Sequence, residues 1–309
     1  MLRYIAKRLF QMIFVLMGVS FMIYFIMDMA PGDLATTILG DEAPIEEIEA
    51  LREELGLNKP VIVRYARYMW KLLNGDMGFS YKYNKTVWEL YSSKMPLTIR
   101  LGMSATIFAV VTSIPLGIAA ALNRGTLVDN SLSAISILGM ATPNFWVGLM
   151  LIILFSLRLG WFNSGGYESW KDIILPMITA GTSSMALATR TTRSSMIDVM
   201  RQDYLMLARA KGLKESKVTN KHALKNAMIP ILTVIGMNFS SGLAGATITE
   251  TVFNLQGVGR LVVDAVKSQD VETACGCIIM VSMFSSMILL LIDILYAFVD
   301  PRIKAKYSK

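Results

Sequence analysis

The feature that most restricts this chain is an uncharged run from Leu9 to Met27, preceded by Arg3, Lys7 and Arg8 and closed by Asp28. As a helix the run rises about 28 Å, close to the ~30 Å hydrocarbon thickness of a bilayer. Backbone in that medium must satisfy its own hydrogen bonds, so only helices or closed barrels cross it. A cleaved leader has a shorter apolar region and a small-residue cleavage site, and "DMAPGD" is a poor one. The run is therefore expected to be a retained transmembrane helix.

Five further apolar stretches follow, approximately Leu97 to Leu122, Ser131 to Leu157, Ile173 to Thr189, Met228 to Thr249 and Gly276 to Val299. The expectation is an all-α polytopic membrane protein with six transmembrane helices. Composition agrees, because 54% hydrophobic with 17% charged residues makes lipid the main solvent. Two cysteines and one histidine leave too little for a disulfide framework, a structural zinc site or most His-based acid–base chemistry, which argues against an enzyme. No Gly-Lys-Ser or Gly-Lys-Thr occurs, so the chain has no P-loop, and "GVG" at Gly257 lacks a preceding strand and a third glycine. Cys275 and Cys277 face different ways on a helix and read as small buried residues rather than metal ligands.

Charge placement orients the chain. With six spans both termini share a side, and the short segments on that side hold three basic residues at the N-terminus, one at Arg124, nine from Arg190 to Lys225 and four in the tail. The short segments opposite hold five: Arg100, Arg158, Lys171, Arg260 and Lys267. Cytoplasmic loops carry the Lys/Arg excess, so both ends are expected inside, and the net charge of +7 needs no nucleic acid to explain it. The long loop from Pro31 to Pro96 is then extracytoplasmic. Within it "PIEEIEALREELG" sets Pro44 at a helix start, Ile45, Ile48, Leu51 and Leu55 at helical spacing, and Gly56 at the stop. "VIVRYARYMWKLLNG" repeats the logic with Ile62, Tyr65, Met69 and Leu72 on one face and Gly75 at its end. These predict a small helical cap, serving as a packing lid or as a docking surface for another protein. The organisation expected is an N-terminal helix over 1–29, the cap over 30–96 and a core over 97–309.

Inside the spans, Pro115, Gly117, Pro143 and Pro176 are expected to make local kinks. "SSGLAGA", Ser240 to Ala246, is a small-residue run that permits close helix approach. Asp293 is an ionisable group inside a span, and the expected partner is Arg190 or Arg193, in a helix–helix ion pair. A gate or proton relay at Asp293 is the competing reading, although a proton-driven carrier would carry several such groups at mid-membrane.

The most polar part of the core is "DYLMLARAKGLKESKVTNKHALKNAMIP", Asp203 to Pro230. Tyr204, Leu205, Leu207 and Ala208 form one apolar helical face, Gly212 permits a sharp turn, and Lys214, Lys217, Lys221 and Lys225 recur as a basic stripe on a second helix. Charge alone leaves anionic lipid and a protein partner both open.

"LARAKGL" followed by "HALKNAMIP" resembles the cytoplasmic signature loop of binding-protein-dependent ABC importer permeases. "PGDLA", "LREELGLNKP", "GDMGFSY", "PNFWVGLMLIILFSLRLGWF", "ITETVFNLQGVGRLVVDAV" and "DPRIK" are similar, in order, to the first permease subunit of oligopeptide and dipeptide importers. The general signature opens Glu-Ala-Ala, where this chain has Met206, Leu207 and Ala208, and a proline often found after the glycine is replaced by Lys225. The resemblance implies a type I importer permease in a bacterial or archaeal membrane. It implies a loop over about 190–227 whose Leu207, Ala208, Arg209, Ala210, Lys211, Gly212 and Leu213 dock an ATPase. Implied partners are a second permease, two ATPase subunits, a solute-binding protein and membrane lipid. ATP and magnesium would be bound by the partner subunits, leaving this chain without a cofactor. The cargo implied is a peptide, with nickel chelates or glutathione as alternatives within the class. A secondary transporter, working alone, is the reading outside it.

Overall fold

The computed structural model describes residues 2–299 except 30, 31, 33 and 41; the side chains of 2–4, 241, 243–245, 293 and 295–299 are also outside the description. The chain opens with α1 (Leu2–Met29), α2 (Leu34–Leu39), α3 (Ile45–Leu55) and α4 (Val61–Leu73). A two-stranded hairpin of β1 (Phe79–Ser80) and β2 (Lys85–Thr86) pairs Phe79 with Thr86 and Ser80 with Lys85, antiparallel. Then come α5 (Val87–Leu122), α6 (Leu127–Ala141) and α7 (Asn144–Leu151), the last running on as a π-helical segment over Ile152–Arg158. After a 3-10 turn the chain continues as α8 (Ile174–Met200), α9 (Asp203–Ala210) and α10 (Glu215–Lys217). A π-helical stretch over Val218–Ala223 leads into α11 (Leu224–Val252), followed by α12 (Val258–Lys267) and α13 (Val271–Val299). Contacts divide the chain into two compact units, residues 1–98 with 256–309, and residues 99–255.

In the first unit α1 packs along α13, and Tyr24, Tyr68, Cys275 and Ile279 form a buried cluster. Helix α3 stops at Gly56 in the left-handed conformation, with Gly56 N–H donating to Glu53 O at 3.0 Å and Leu57 N–H to Arg52 O at 2.9 Å, the two bonds that close a Schellman end. In α4 the packed face differs from the expected one. Tyr65, Met69 and Leu72 pack as predicted, but Tyr68 is buried whereas Ile62 is 67% exposed. The stripe that meets the core is Val61, Tyr65, Tyr68 and Leu72, spaced by three and four, and Ile62 falls off its edge. The Tyr65 hydroxyl is 2.8 Å from Ser20 Oγ and donates to Met17 O at 3.2 Å, and Arg64 pairs with Asp28. Helix α4 therefore lies against the Met17–Asp28 part of α1, the same run that reads as a span.

In the second unit α8 is central and packs against α6, α7 and α11. Small residues bring α5 up to it: a Cβ on Gly117 would sit 2.5 Å from Thr192 Cβ, and one on Gly181 would sit 2.7 Å from the Phe108 ring. Among the described residues, α1, α5 and α13 are each long and apolar enough to cross a membrane, and α6 with α7 qualifies as a pair. That pair is bent by 103°, far sharper than the local kink expected at Pro143 within the Ser131 to Leu157 span. The break falls at Thr142, held extended by the proline that follows it, so Pro143 makes a corner rather than a kink. The two remaining expected spans fall on α8 and α11, 27 and 29 residues long but richer in polar side chains. In α8 these are tolerated because Thr179, Thr189 and Thr192 are buried and each returns its hydroxyl to the carbonyl four residues back, at 2.8–2.9 Å.

Candidate functional site

The α9 turn is built from local rules. Gln202 is extended and starts the helix. At the other end Leu213 N–H donates to Ala208 O at 3.4 Å and Gly212 N–H to Arg209 O at 2.9 Å, again the pair of bonds of a Schellman end. Gly212 sits at φ +75°, a conformation that costs most L-residues about 1–2 kcal/mol, so the sharp turn expected there favours glycine. Across the turn Arg209 grips Glu215 bidentately, Nε to Oε2 at 3.1 Å and Nη2 to Oε1 at 2.8 Å. The Arg209 guanidinium holds the Glu215 carboxyl below its ordinary range, and the carboxylate holds the guanidinium above its own.

Burial fastens this turn to long helices. Leu205 is fully buried in one cluster with Ala121 of α5, Met196 of α8, Val218 and Ala223 of the π-helical stretch, and Ala227 and Ile231 of α11, while Ala208 and Leu213 pack against it. Asn226 Nδ2 adds a 2.8 Å bond to the Tyr204 hydroxyl. Each small or aliphatic side chain in that cluster contributes about 0.8 kcal/mol per buried methylene. The turn therefore moves with the ends of α5, α8 and α11.

What remains outside is equally informative. Of the apolar face expected on α9, only Leu205 is buried and Ala208 half-buried; Tyr204 and Leu207 are exposed, as is Met206. Tyr204, Met206 and Leu207 form an uncovered apolar patch beside exposed Ala210, Lys211 and Gly212. The basic stripe is interrupted at its start: Lys214 caps α10 in extended backbone, and the π-helical stretch separates Lys217 from Lys225. All four lysines are exposed.

Arg193 has a partner that sequence reading missed. Its Nε and Nη2 reach the two carboxylate oxygens of Asp129, at 2.5 and 2.7 Å. Asp129 is buried at the start of α6, where it also accepts the Gly125 N–H at 2.9 Å. No spacing rule links residues 64 apart, and Asp129 was hidden by its position at the edge of an apolar run. Arg190 is exposed. The side chain of Asp293, proposed from sequence as the partner of these arginines, lies outside the described residues, as do Pro31 and the basic tail after Val299.

Long apolar helices with internally satisfied hydroxyls, carrying a helix–turn–helix packed at the ends of three of them, define a helical polytopic membrane protein. Two family models together match most of the chain. The description of the first is binding-protein-dependent transport system inner membrane component, over residues 113–305; the second is the N-terminal part of such membrane components, over residues 1–102. The chain belongs to this family, the permeases of ABC importers, and within it to the peptide/nickel type. It is 38% identical over 306 residues to the glutathione transport system permease proteins of Escherichia coli (strain K12) and Salmonella paratyphi A, covering 99% of this chain and 100% of each of theirs. The fold resembles that of the inward-facing MetNI methionine ABC transporter, with TM-score 0.56 and 15% identity over 69% of this chain and 97% of that one. An amino acid ABC transporter with histidines gives TM-score 0.51 and 16% identity over 69% and 94%.

Proposed function

We propose that this permease forms half of an import pathway for short peptides, glutathione among them, delivered by an extracytoplasmic solute-binding protein. Its partners in that reading are a second homologous permease and two ATPase subunits that bind ATP and magnesium, with both termini and the α9 turn on the cytoplasmic side. The observation that carries it is the turn itself: an apolar and basic patch presented on a helix pair that Leu205 and its cluster lock to α5, α8 and α11. A patch fixed in this way transmits displacement instead of absorbing it. ATP-driven approach of two ATPases would draw the inner ends of the helices together and open the pathway outward. This requires that the ATP-bound subunits hold one permease conformation more tightly than the other, since only differential affinity shifts the equilibrium. Similarity to glutathione permeases along the full length favours a peptide over a nickel chelate.

The test is uptake by the complete transporter in proteoliposomes with its own binding protein, comparing labelled glutathione, a dipeptide and a pentapeptide. ATP-dependent accumulation of at least one is expected. Uptake by this chain alone, without ATPases or ATP, would overturn the reading in favour of a secondary transporter.

A further inference from the structure

Helix α4 carries more apolar surface than its neighbours cover. Val61, Tyr65, Tyr68 and Leu72 pack into the cluster shared with α1 and α13. Ile62, Ala66, Trp70 and Leu73, at spacings of four and three, form a second apolar face that is exposed, Trp70 by 70% and Leu73 by 76%. The charged residues of α4 are confined to one narrow strip, Arg64, Arg67 and Lys71, and all are basic. Large apolar surface of this kind marks a contact with a partner or a membrane.

The contacts of α4 say which. Arg64 pairs with Asp28, where the uncharged run of α1 ends, and Lys71 Nζ lies 3.5 Å from Glu272 Oε1 in the first turn of α13. These anchors are seven residues, about 10 Å, apart along α4, so the helix lies across the ends of α1 and α13. The Tyr65 ring packs edge-on against Phe21 and Tyr24, at 5.3 and 5.7 Å, and its hydroxyl meets Ser20 Oγ at 2.8 Å and Met17 O at 3.2 Å. Ser20 is eight residues from Asp28, about 12 Å into the run. A span cannot lie in hydrocarbon at Ser20 while the helix packed on it stands in water. Phe21 and Phe25 are exposed on that span, so its apolar surface continues through Tyr65 onto α4.

We infer that α4 is an interfacial helix sunk into the leaflet at the Asp28 end of α1, with Ile62, Ala66, Trp70 and Leu73 against lipid acyl chains and Arg64, Arg67 and Lys71 at the level of the phosphates. A basic strip beside tryptophan and aliphatic residues is the pattern of helices that lie in a membrane interface, and tryptophan favours the headgroup level. In the orientation proposed above this is the outer leaflet. The inference rests on α1 crossing the membrane and not on which cargo is carried.

The test uses the complete transporter, reconstituted without binding protein in phosphatidylethanolamine–phosphatidylglycerol vesicles. A nitroxide is attached at Ile62→Cys, Trp70→Cys, Leu73→Cys or, on the basic strip, Arg67→Cys, and its collisions with oxygen and with a water-soluble nickel chelate are read by EPR. The wild-type complex treated alike gives the background, since Cys275 and Cys277 are buried. The oxygen-to-nickel ratio at the three apolar positions should exceed that at Arg67→Cys about fivefold or more. Equal ratios would set the face in water, and labels shielded from both probes would set it under the second permease; either overturns the inference. Should the labelled variants not assemble, Trp70 itself decides: the fluorescence difference between wild type and Trp70→Phe should fall about twofold or more in vesicles of lipid brominated in the upper acyl chain. An unchanged difference overturns the inference.

Discussion

Three substitutions at Gly212 separate the shape of the turn from what docks on it. At φ +75° an ordinary L-residue is strained by about 1–2 kcal/mol, whereas Asn and Asp visit this region readily. No other atom lies within 4 Å of a Cβ built there, so strain is the whole internal cost of alanine. Gly212→Ala should therefore raise the population of the locally opened turn about 5- to 30-fold, the factor that ~1–2 kcal/mol represents. Gly212→Asn and Gly212→Asp should raise it about threefold or less. Hydrogen exchange of the peptide spanning residues 203–217, read by mass spectrometry in the purified complex, measures this directly. Association with the ATPase should follow a different order. Asp keeps the turn but sets a carboxylate on the proposed docking patch beside Tyr204, Met206 and Leu207, so it should abolish ATPase co-purification and uptake while leaving membrane insertion intact. Asn should retain most of both. If alanine exchanges at the wild-type rate, the strain argument fails; if Asn is as damaging as Asp, charge is not what the partner rejects; normal uptake in Gly212→Asp removes the docking assignment altogether.

The Asp129–Arg193 pair offers a test of the joint between α6 and α8. Asp129→Ala should lower thermal stability in detergent by about 2–3 kcal/mol, less than the ~3–5 of a fully buried pair because Arg193 keeps 30% of its exposure. Arg193→Ala, which strands the buried carboxylate, should cost at least as much, and the double variant less than the sum; strict additivity would show that the two do not act together. The Arg209–Glu215 bridge has a pH signature. The folded carboxyl is depressed below its ordinary value of 4.5, so its contribution is complete above that value and is lost only as pH falls through the depressed one. A spin label placed by Lys211→Cys should show an unchanged spectrum from pH 8 to 5 and loosen only once pH has fallen below the ordinary carboxyl value of 4.5; loosening between pH 7 and 6 would refute the bridge as the clasp.

How much of this was legible in the sequence depends on the range of the interaction that decides each element. Helix ends governed by one or two residues read well: Gly56 and Gly212 stop their helices because their backbone signs are positive, and that requirement is written in the residue type. The long apolar helices read well for the same reason, since lipid imposes a single solution on an uncharged run. Faces read less well, because the period of 3.6 leaves the phase free within a residue or so; α4 turned Tyr68 rather than Ile62 inward once α1 and α13 supplied the neighbours. The corner at Thr142–Pro143 was visible as a proline, but its angle depends on packing that periodicity does not describe.

Partners far apart in sequence were beyond reach, and they matter most for the site. Asp129 bonds Arg193 and Asn226 bonds Tyr204 across 64 and 22 residues, and neither pair follows a helical spacing. The α9 segment shows how the two kinds of information combine. Four residues read as one apolar helix face, and the fold divides it, sending Leu205 inward and leaving Tyr204 and Leu207 in solvent with Met206. An apolar stripe wider than the core it meets is split between holding the helix in place and offering it to something else. The side that is buried makes the turn rigid, and rigidity is what gives the uncovered side mechanical meaning: a force applied at Leu207 reaches α8 and α11 through Leu205, two residues away, with no flexible segment between them.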